Sequence, residues 1–145
     1  MALKVVAGIL CRGERFLVCQ RRGDGAFPGK WEFPGGKIEP GEDGTGALGR
    51  ELKEELDISV ESAREVFRHA HAYADGTRVE LTFFEVRAFA GEPRNRVFGR
   101  IAWVTADELA ALDFLDGDLP LIRELRHGGL EGLSERLSQR KGLSI

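Results

Sequence analysis

The chain has 145 residues, enough for one domain with a sizeable core. Hydrophobic residues make up 42% and charged residues 31%, the balance of a globular protein rather than a disordered one. A net charge of −3 argues against a general binder of nucleic-acid polymers, which is usually basic, yet permits a local cationic pocket for one phosphorylated ligand.

At the N-terminus, "LKVVAGILCRG" and "RFLVCQRR" are apolar, β-branched runs split by Arg12-Gly13-Glu14, predicting two strands and a tight turn. The first run is too short to span a membrane and lacks a signal-peptide cleavage region, so no membrane partner and a cytoplasmic location are expected. Cys11 and Cys19 lie in these strands, placed to face each other across the hairpin; with no secretory context, buried free thiols are the expectation. Arg12, Arg15, Arg21 and Arg22 form one local basic group, and Arg94, Arg96 and Arg100 another; solvated surface accounts for most of them.

"GDGAFPGK" is a loop, and "WEFPGGKIEP" reads as a short strand entering a turn. A helix follows, with Asp43 as N-cap and Leu48, Leu52 and Leu56 as its apolar stripe. Strands resume in "ISVESAREVFRHAHAY" and "TRVELTFFEVRAFAG", joined by "ADG", and again in "RIAWVT". His69 and His71 share a strand face there, but two ligands are too few for a metal site. Trp31 and Trp103 read as core or pocket-rim residues. "TADELAAL" opens with a capping box, Thr105 and Glu108. "GDLPLIRELRH" is a further helix, with Asp118 near its start and Leu121, Ile122 and Leu125 on one face. The tail, residues 128–145, is expected to be peripheral, with a weak amphipathic helix through Leu130, Leu133 and Leu137. The mixture lacks the regular alternation of a doubly wound sheet, so an α/β (α+β) sandwich with a mixed sheet, in a single domain, fits best.

The helix after residue 43 carries an anomaly. Glu51, Glu54 and Glu55 sit at spacings that put them on one face, where like charges repel by roughly 0.2–0.5 kcal/mol per pair. Gly44, Gly46 and Gly49 each cost roughly 1 kcal/mol relative to Ala in a helix interior. The leucine stripe lies beside the acidic face, which brings the carboxylates close to the protein body. Such a cluster calls for a counter-charge, and a hard divalent cation such as Mg²⁺ takes carboxylates, waters and substrate phosphates. Arg50 can orient a neighbouring carboxylate, and Glu42 can point back toward the cluster. Spacing alone also fits a solvated, salt-bridged helix with Lys53 and Arg50 as cations. The glycines shift the balance toward a helix that admits phosphates or packs against a loop.

Together, Gly36, Glu42, Arg50, Glu51, Leu52, Glu54, Glu55 and Ile58 resemble the signature of the Nudix hydrolases, a box spanning residues 36–58. Asp57 stands where that family usually has Gly, and Asp tolerates a left-handed backbone better than most residues. "WEFPGGKIEPGE" and "AWVTADELAALDFLDGDLPLI" are similar to the MutT-like branch, and the likeness covers roughly residues 3–126. The resemblance implies an α/β/α sandwich with the box as loop–helix–loop. It also implies metal-dependent hydrolysis of nucleoside triphosphates to a monophosphate and pyrophosphate, by water attacking the β-phosphorus. Glu51, Glu54 and Glu55 would bind Mg²⁺ or Mn²⁺ with the Gly35 carbonyl. Arg50 would orient Glu51, with Glu51, Glu54 and Arg50 as the catalytic set. Arg21 falls to the phosphates and Phe33 to the nucleobase, with Lys37 a further substrate-binding residue. Asp118 would meet the base edge: ionised, it only accepts and suits cytosine or adenine; protonated, it also donates and admits oxidised guanine.

The branch usually has an acid six positions before Trp103, where this chain has Val97, leaving Glu80, Glu85 or Asp75 as substitutes. Rival readings are a hydrolase of ADP-ribose, a nucleotide sugar or a dinucleotide, and a catalytically silent nucleotide-binding domain. The absence of an extra domain weighs against the first, and the intact Arg-Glu and Glu-Glu pairs against the second. A monomer or homodimer acting on a small nucleotide is the expected assembly.

Overall fold

Five consecutive buried residues, Val6 to Leu10, mark the first strand as one covered on both faces, and it lies at the centre of the sheet. A computed structural model describes residues 2–143, with side chains through residue 133. The strands are β1 (Leu3–Arg12), β2 (Arg15–Gln20), β3 (Trp31–Glu32), β4 (Gly35–Lys37), β5 (Ser59–Ala72), β6 (Arg78–Ala90) and β7 (Arg100–Thr105). The helices are α1 (Gly44–Leu56), α2 (Ala106–Leu109) and α3 (Leu119–Leu143), with a 3-10 turn at Asp116–Asp118.

The sheet runs β3-β2-β1-β6-β5, with β4 also on β1 and β7 also on β2. β1 and β6 are parallel, while the other pairings are antiparallel, so the sheet is mixed as expected. On one edge β1 pairs with β4 at Val5–Ala7 and with β2 only at Cys11 and Arg12. Between these, the Gly8 N–H donates to the Pro34 carbonyl at 2.7 Å. The sheet forks there.

Each face of the sheet has its own core. Val6, Leu10, Phe84 and Val86 pack under Ala47, Leu48, Leu52 and Leu56 of α1. Ala7, Ile9 and Phe83 pack under Leu121, Ile122 and Leu125 of α3. This is the sandwich read from the sequence. Leu133, in the stretch expected to be peripheral, is buried in the α3-side core, and Leu130 packs against it. α3 is broken at Gly129, whose φ of 63° departs from the helix. Leu137 of the expected tail helix lies outside the residues whose side chains are described.

Local signals read from the sequence reappear as geometry. Asp43 accepts from the Gly46 N–H at 2.7 Å, capping α1. Thr105 and Glu108 form the reciprocal capping box of α2. "WEFPGGKIEP" holds two strands rather than one, because Phe33 and Pro34 turn the chain from β2 to β1. The cysteines do not face each other: Cys11 lies opposite Phe16, and Cys19 opposite Glu32 and Ile101. Both thiols are free, and Cys11 is exposed rather than buried. Among the described residues, no helix is long and apolar enough to cross a membrane.

Two of the three early glycines of α1 sit in tight surroundings. A Cβ on Gly44 would come within 2.9 Å of the Phe84 ring, and one on Gly46 within 2.8 Å of the capping oxygen of Asp43. Gly49 faces open space. Gly49→Ala should therefore raise the free energy of unfolding by about 1 kcal/mol in urea titrations. Gly35→Ala should lower it by ~3 kcal/mol or more, because its Cβ would meet the Val6 carbonyl oxygen at 2.0 Å.

Candidate active site

The leucine stripe fixes the roll of α1, and that roll turns Arg50, Glu51, Glu54 and Glu55 toward β4 and the preceding loop. Gly36 makes room for them: a Cβ there would lie 2.4 Å from the Glu51 carboxyl carbon. Arg50 organises the group. Its Nε and Nη2 donate to the two oxygens of Glu42 at 2.8 and 3.0 Å. Its Nη1 donates to Glu51 at 2.9 Å, and Nη2 also reaches the Lys37 carbonyl at 3.0 Å. Glu39 and Glu54 lie farther out, at 3.7 and 3.8 Å. The guanidinium holds Glu42 down to about 2, through hydrogen bonding first. Glu42 thus points back toward the acidic cluster as expected, and meets it through Arg50.

Glu55 is different. Its Oε1 accepts from the Gly35 N–H at 3.1 Å, yet burial, then Glu51 and Glu32, push it up to about 9. Glu51 is also raised, mainly by burial, against the pull of Arg50. Glu54 is exposed. Among the described residues, no three His, Cys, Asp or Glu side chains are drawn together to hold an ion. Glu51 is engaged by Arg50 and Glu55 by the Gly35 N–H, while Glu54 is exposed at the edge of Arg50's reach.

The donor chemistry nonetheless fits a hard divalent cation. The set is all oxygen, the carboxylates outnumber their cations, and a buried carboxylate lifted this far lacks positive charge beside it. Glu51, Glu54 and Glu55 supply these oxygens, though their side chains do not converge on one point as they stand.

A cleft of about 490 Å³ runs from Gly35, Lys37 and Glu55 to Asp118, past Arg21 and Phe33. Arg21 donates through Nε to the Ala26 carbonyl at 2.8 Å and through Nη1 to Glu32 at 2.9 Å. Phe33 is buried: its ring packs on Phe83 and Phe114, and its N–H donates to Asp118 Oδ2 at 3.4 Å. Asp118 is only 5% exposed, and burial, with Glu32 second, pushes it up to about 8. At neutral pH it is mostly a neutral acid that both donates and accepts.

Glu32 is a cleft residue that sequence reasoning missed, as are Phe27 and Tyr73. Its signal was a lone Glu between Trp31 and Phe33 in an apolar strand, where alternation turns it away from the side that buries Trp31. Val97 does line the cleft, 44% exposed, and puts no carboxylate there. None of the three substitutes does so either. Glu85 sits 3.5 Å from Arg64, Asp75 accepts from the Thr77 N–H in the β5–β6 turn, and Glu80 lines a separate groove. β6 sends Val79 and Leu81 to the cleft, so alternation turns Glu80 to the opposite face of the sheet, and Asp75 is tied back to Thr77 within the turn. His69 and His71 stack at 5.9 Å, outside the cleft. Trp31 is in the core, and Trp103 lies under the Arg12 guanidinium.

The chain matches the NUDIX domain over residues 1–125. It is 39% identical over 121 residues to the "Putative 8-oxo-dGTP diphosphatase 2" of Mycobacterium tuberculosis, covering 83% of this chain and 86% of the relative. It is 32% identical over 120 residues to the CTP pyrophosphohydrolase of Escherichia coli K12, covering 83% and 88%. The solution structure of the E. coli ORF135 protein superposes with a TM-score of 0.76 at 32% identity, covering 86% and 91%.

Asp118 gives the site a pH signature. Its carboxyl is raised from 3.8 to about 8 on folding, so the folded state holds a proton that the unfolded chain releases. The resulting stabilisation is complete below about pH 4 and is lost as pH rises through about 8. Without added metal, the melting temperature of the wild type should fall across this window more steeply than that of Asp118→Asn, measured by calorimetry in matched buffers. Parallel slopes would remove the neutral acid from the site.

Proposed function

The chain belongs to the NUDIX domain family, in its MutT-like branch of enzymes that cleave nucleotide anhydrides, and we propose that its substrates are nucleoside triphosphates, hydrolysed to the monophosphate and pyrophosphate. The observation that carries this reading is one cleft lined by Glu55 of the box at one end and by the buried Asp118 at the other. A triphosphate needs charge neutralisation, and a base needs an edge to read. The two ends supply these separately.

Mg²⁺ or Mn²⁺ is the proposed cofactor, held by Glu51, Glu54 and Glu55 with the Gly35 carbonyl. When bound, it would offset phosphate charge and lower the pKa of a water toward neutrality. Arg50 holds Glu51 in place through a charge-assisted bond, with Glu42 gripping the same guanidinium from the other side. Lys37 and Arg21 line the cleft where the phosphates would run. Water attacks in line at the β-phosphorus, and the bond from that phosphorus to the α–β bridging oxygen breaks.

A neutral Asp118 supports an oxidised guanine, whose edge pairs a donor with an acceptor. The ionised form only accepts and would favour an exocyclic amine, as on cytosine, the base named for the E. coli relative. The two preferences should exchange with pH. With Mg²⁺ present, the ratio of kcat/KM for 8-oxo-dGTP to that for CTP should fall severalfold between pH 7 and pH 9, and Asp118→Asn should flatten it. A panel of canonical and oxidised triphosphates with no hydrolysis anywhere would sink the substrate class. Glu54→Gln should lose two or more orders of magnitude in kcat with an unchanged melting temperature in metal-free buffer. Near-normal turnover in that variant would remove Glu54 from the metal site.

A further inference from the structure

Phe27 is a large apolar side chain, 41% exposed, on the loop between β2 and β3. Its φ is 49°, a left-handed backbone that is costly for a bulky residue and is kept only where the surroundings enforce it. The surroundings do so. The Arg21 N–H donates to the Lys30 carbonyl at 2.8 Å, and the Gly29 N–H returns to the Arg21 carbonyl at 3.2 Å. Arg21 Nε holds the Ala26 carbonyl at 2.8 Å, and the Lys30 N–H reaches the Phe27 carbonyl at 3.3 Å. Neither core includes the Phe27 ring. Strain maintained at a ring outside both cores points to a role in the cleft that it lines.

The ring's neighbours tie it to Asp118. Tyr73 lies 5.0 Å away, centroid to centroid and tilted by 45°. The Tyr73 hydroxyl accepts from the Gly117 N–H at 3.3 Å, one residue before Asp118. The Arg21 guanidinium stands 6.0 Å from the Phe27 ring centroid. Asp118 is placed to meet a base edge, but an edge contact leaves the flat faces of a base uncovered. Phe33 covers little, because its ring is sunk between Phe83 and Phe114.

We propose that Phe27, braced by Tyr73, is a stacking surface for the nucleobase and sets the affinity of this cleft for nucleosides as opposed to bare phosphates. At 5.0 Å the two rings leave no room for a base between them, so the base lies against Phe27 on the side away from Tyr73. The inference rests on the nucleotide reading above.

Phe27→Gly tests it with little risk to folding, since glycine accepts the positive φ. Compared with the wild type, its KM for nucleoside triphosphates should rise about tenfold with kcat within about twofold, and its Kd for guanosine and cytidine monophosphates should rise equally, as loss of one base stack implies. Its Kd for pyrophosphate should not move, and Phe27→Trp should restore nucleotide affinity. Nucleotide KM and Kd unchanged in Phe27→Gly would overturn the proposal. So would a parallel loss of pyrophosphate affinity, which would mark a collapsed loop, or a failure of Phe27→Trp to restore binding. A wild type that neither binds nor hydrolyses any nucleotide would instead bring down the nucleotide reading.

Discussion

One guanidinium shared among four carboxylates sets the character of this molecule. Arg50 has Glu39, Glu42, Glu51 and Glu54 within 4 Å of its nitrogens. A single positive charge cannot neutralise that many anions, so the cluster retains a deficit. Its two closest partners, Glu42 and Glu51, come from the loop before α1 and from α1 itself, so the same contacts also lock that loop to the helix. Glu55, just beyond its reach, shows the deficit most clearly, because burial and neighbouring acids raise it to about 9. A helix chosen for stability alone would not leave charge unbalanced beside its own core. A helix that awaits a cation and a polyphosphate gains from it.

The cleft exists because the sheet forks. β1 gives its early residues to β4 and its last ones to β2, and Phe33 and Pro34 bridge the gap. Glu32 and Phe33 therefore sit at the split, between the box and the turn that bears Asp118. This links the two ends electrostatically as well as spatially, since Glu32 contributes to raising both Glu55 and Asp118. Arg21 pairs with Glu32 and favours its charged form, against the burial that raises it.

The sequence made α1 legible almost residue by residue, because its determinants are local. Asp43 caps, Leu48, Leu52 and Leu56 pack, and Asp57 takes the left-handed conformation at φ 57°. Arg50 as the orienter of Glu51 was also readable, since the two are adjacent in sequence. What escaped was set by distant pairing. The partner of Glu42 lies eight residues away across a loop, Glu32 becomes a cleft residue only once β3 joins β2, and Phe27 meets Tyr73 across 46 positions of chain. Composition hid Phe27 in particular, since "GDGAFPGK" reads as plain loop. The tail was misjudged for a related reason: three leucines at weak spacing do not reveal that Leu133 reaches the core.

Val97 takes on meaning in this frame. The loop that carries it has not drifted away, because the Arg94 and Arg96 N–H groups bond to the Leu56 and Glu55 carbonyls at 2.8 and 3.1 Å. These bonds satisfy carbonyls that the end of a helix leaves open, and they pin the loop directly behind Glu55. The backbone at this position is therefore tethered to the acidic helix, and only the side chain departs from the family's usual acid. A valine there brings an exposed apolar side chain to the cleft in place of a charge. Under the proposed function, the carboxylates of α1 would therefore meet a cation without help from an acid on this loop.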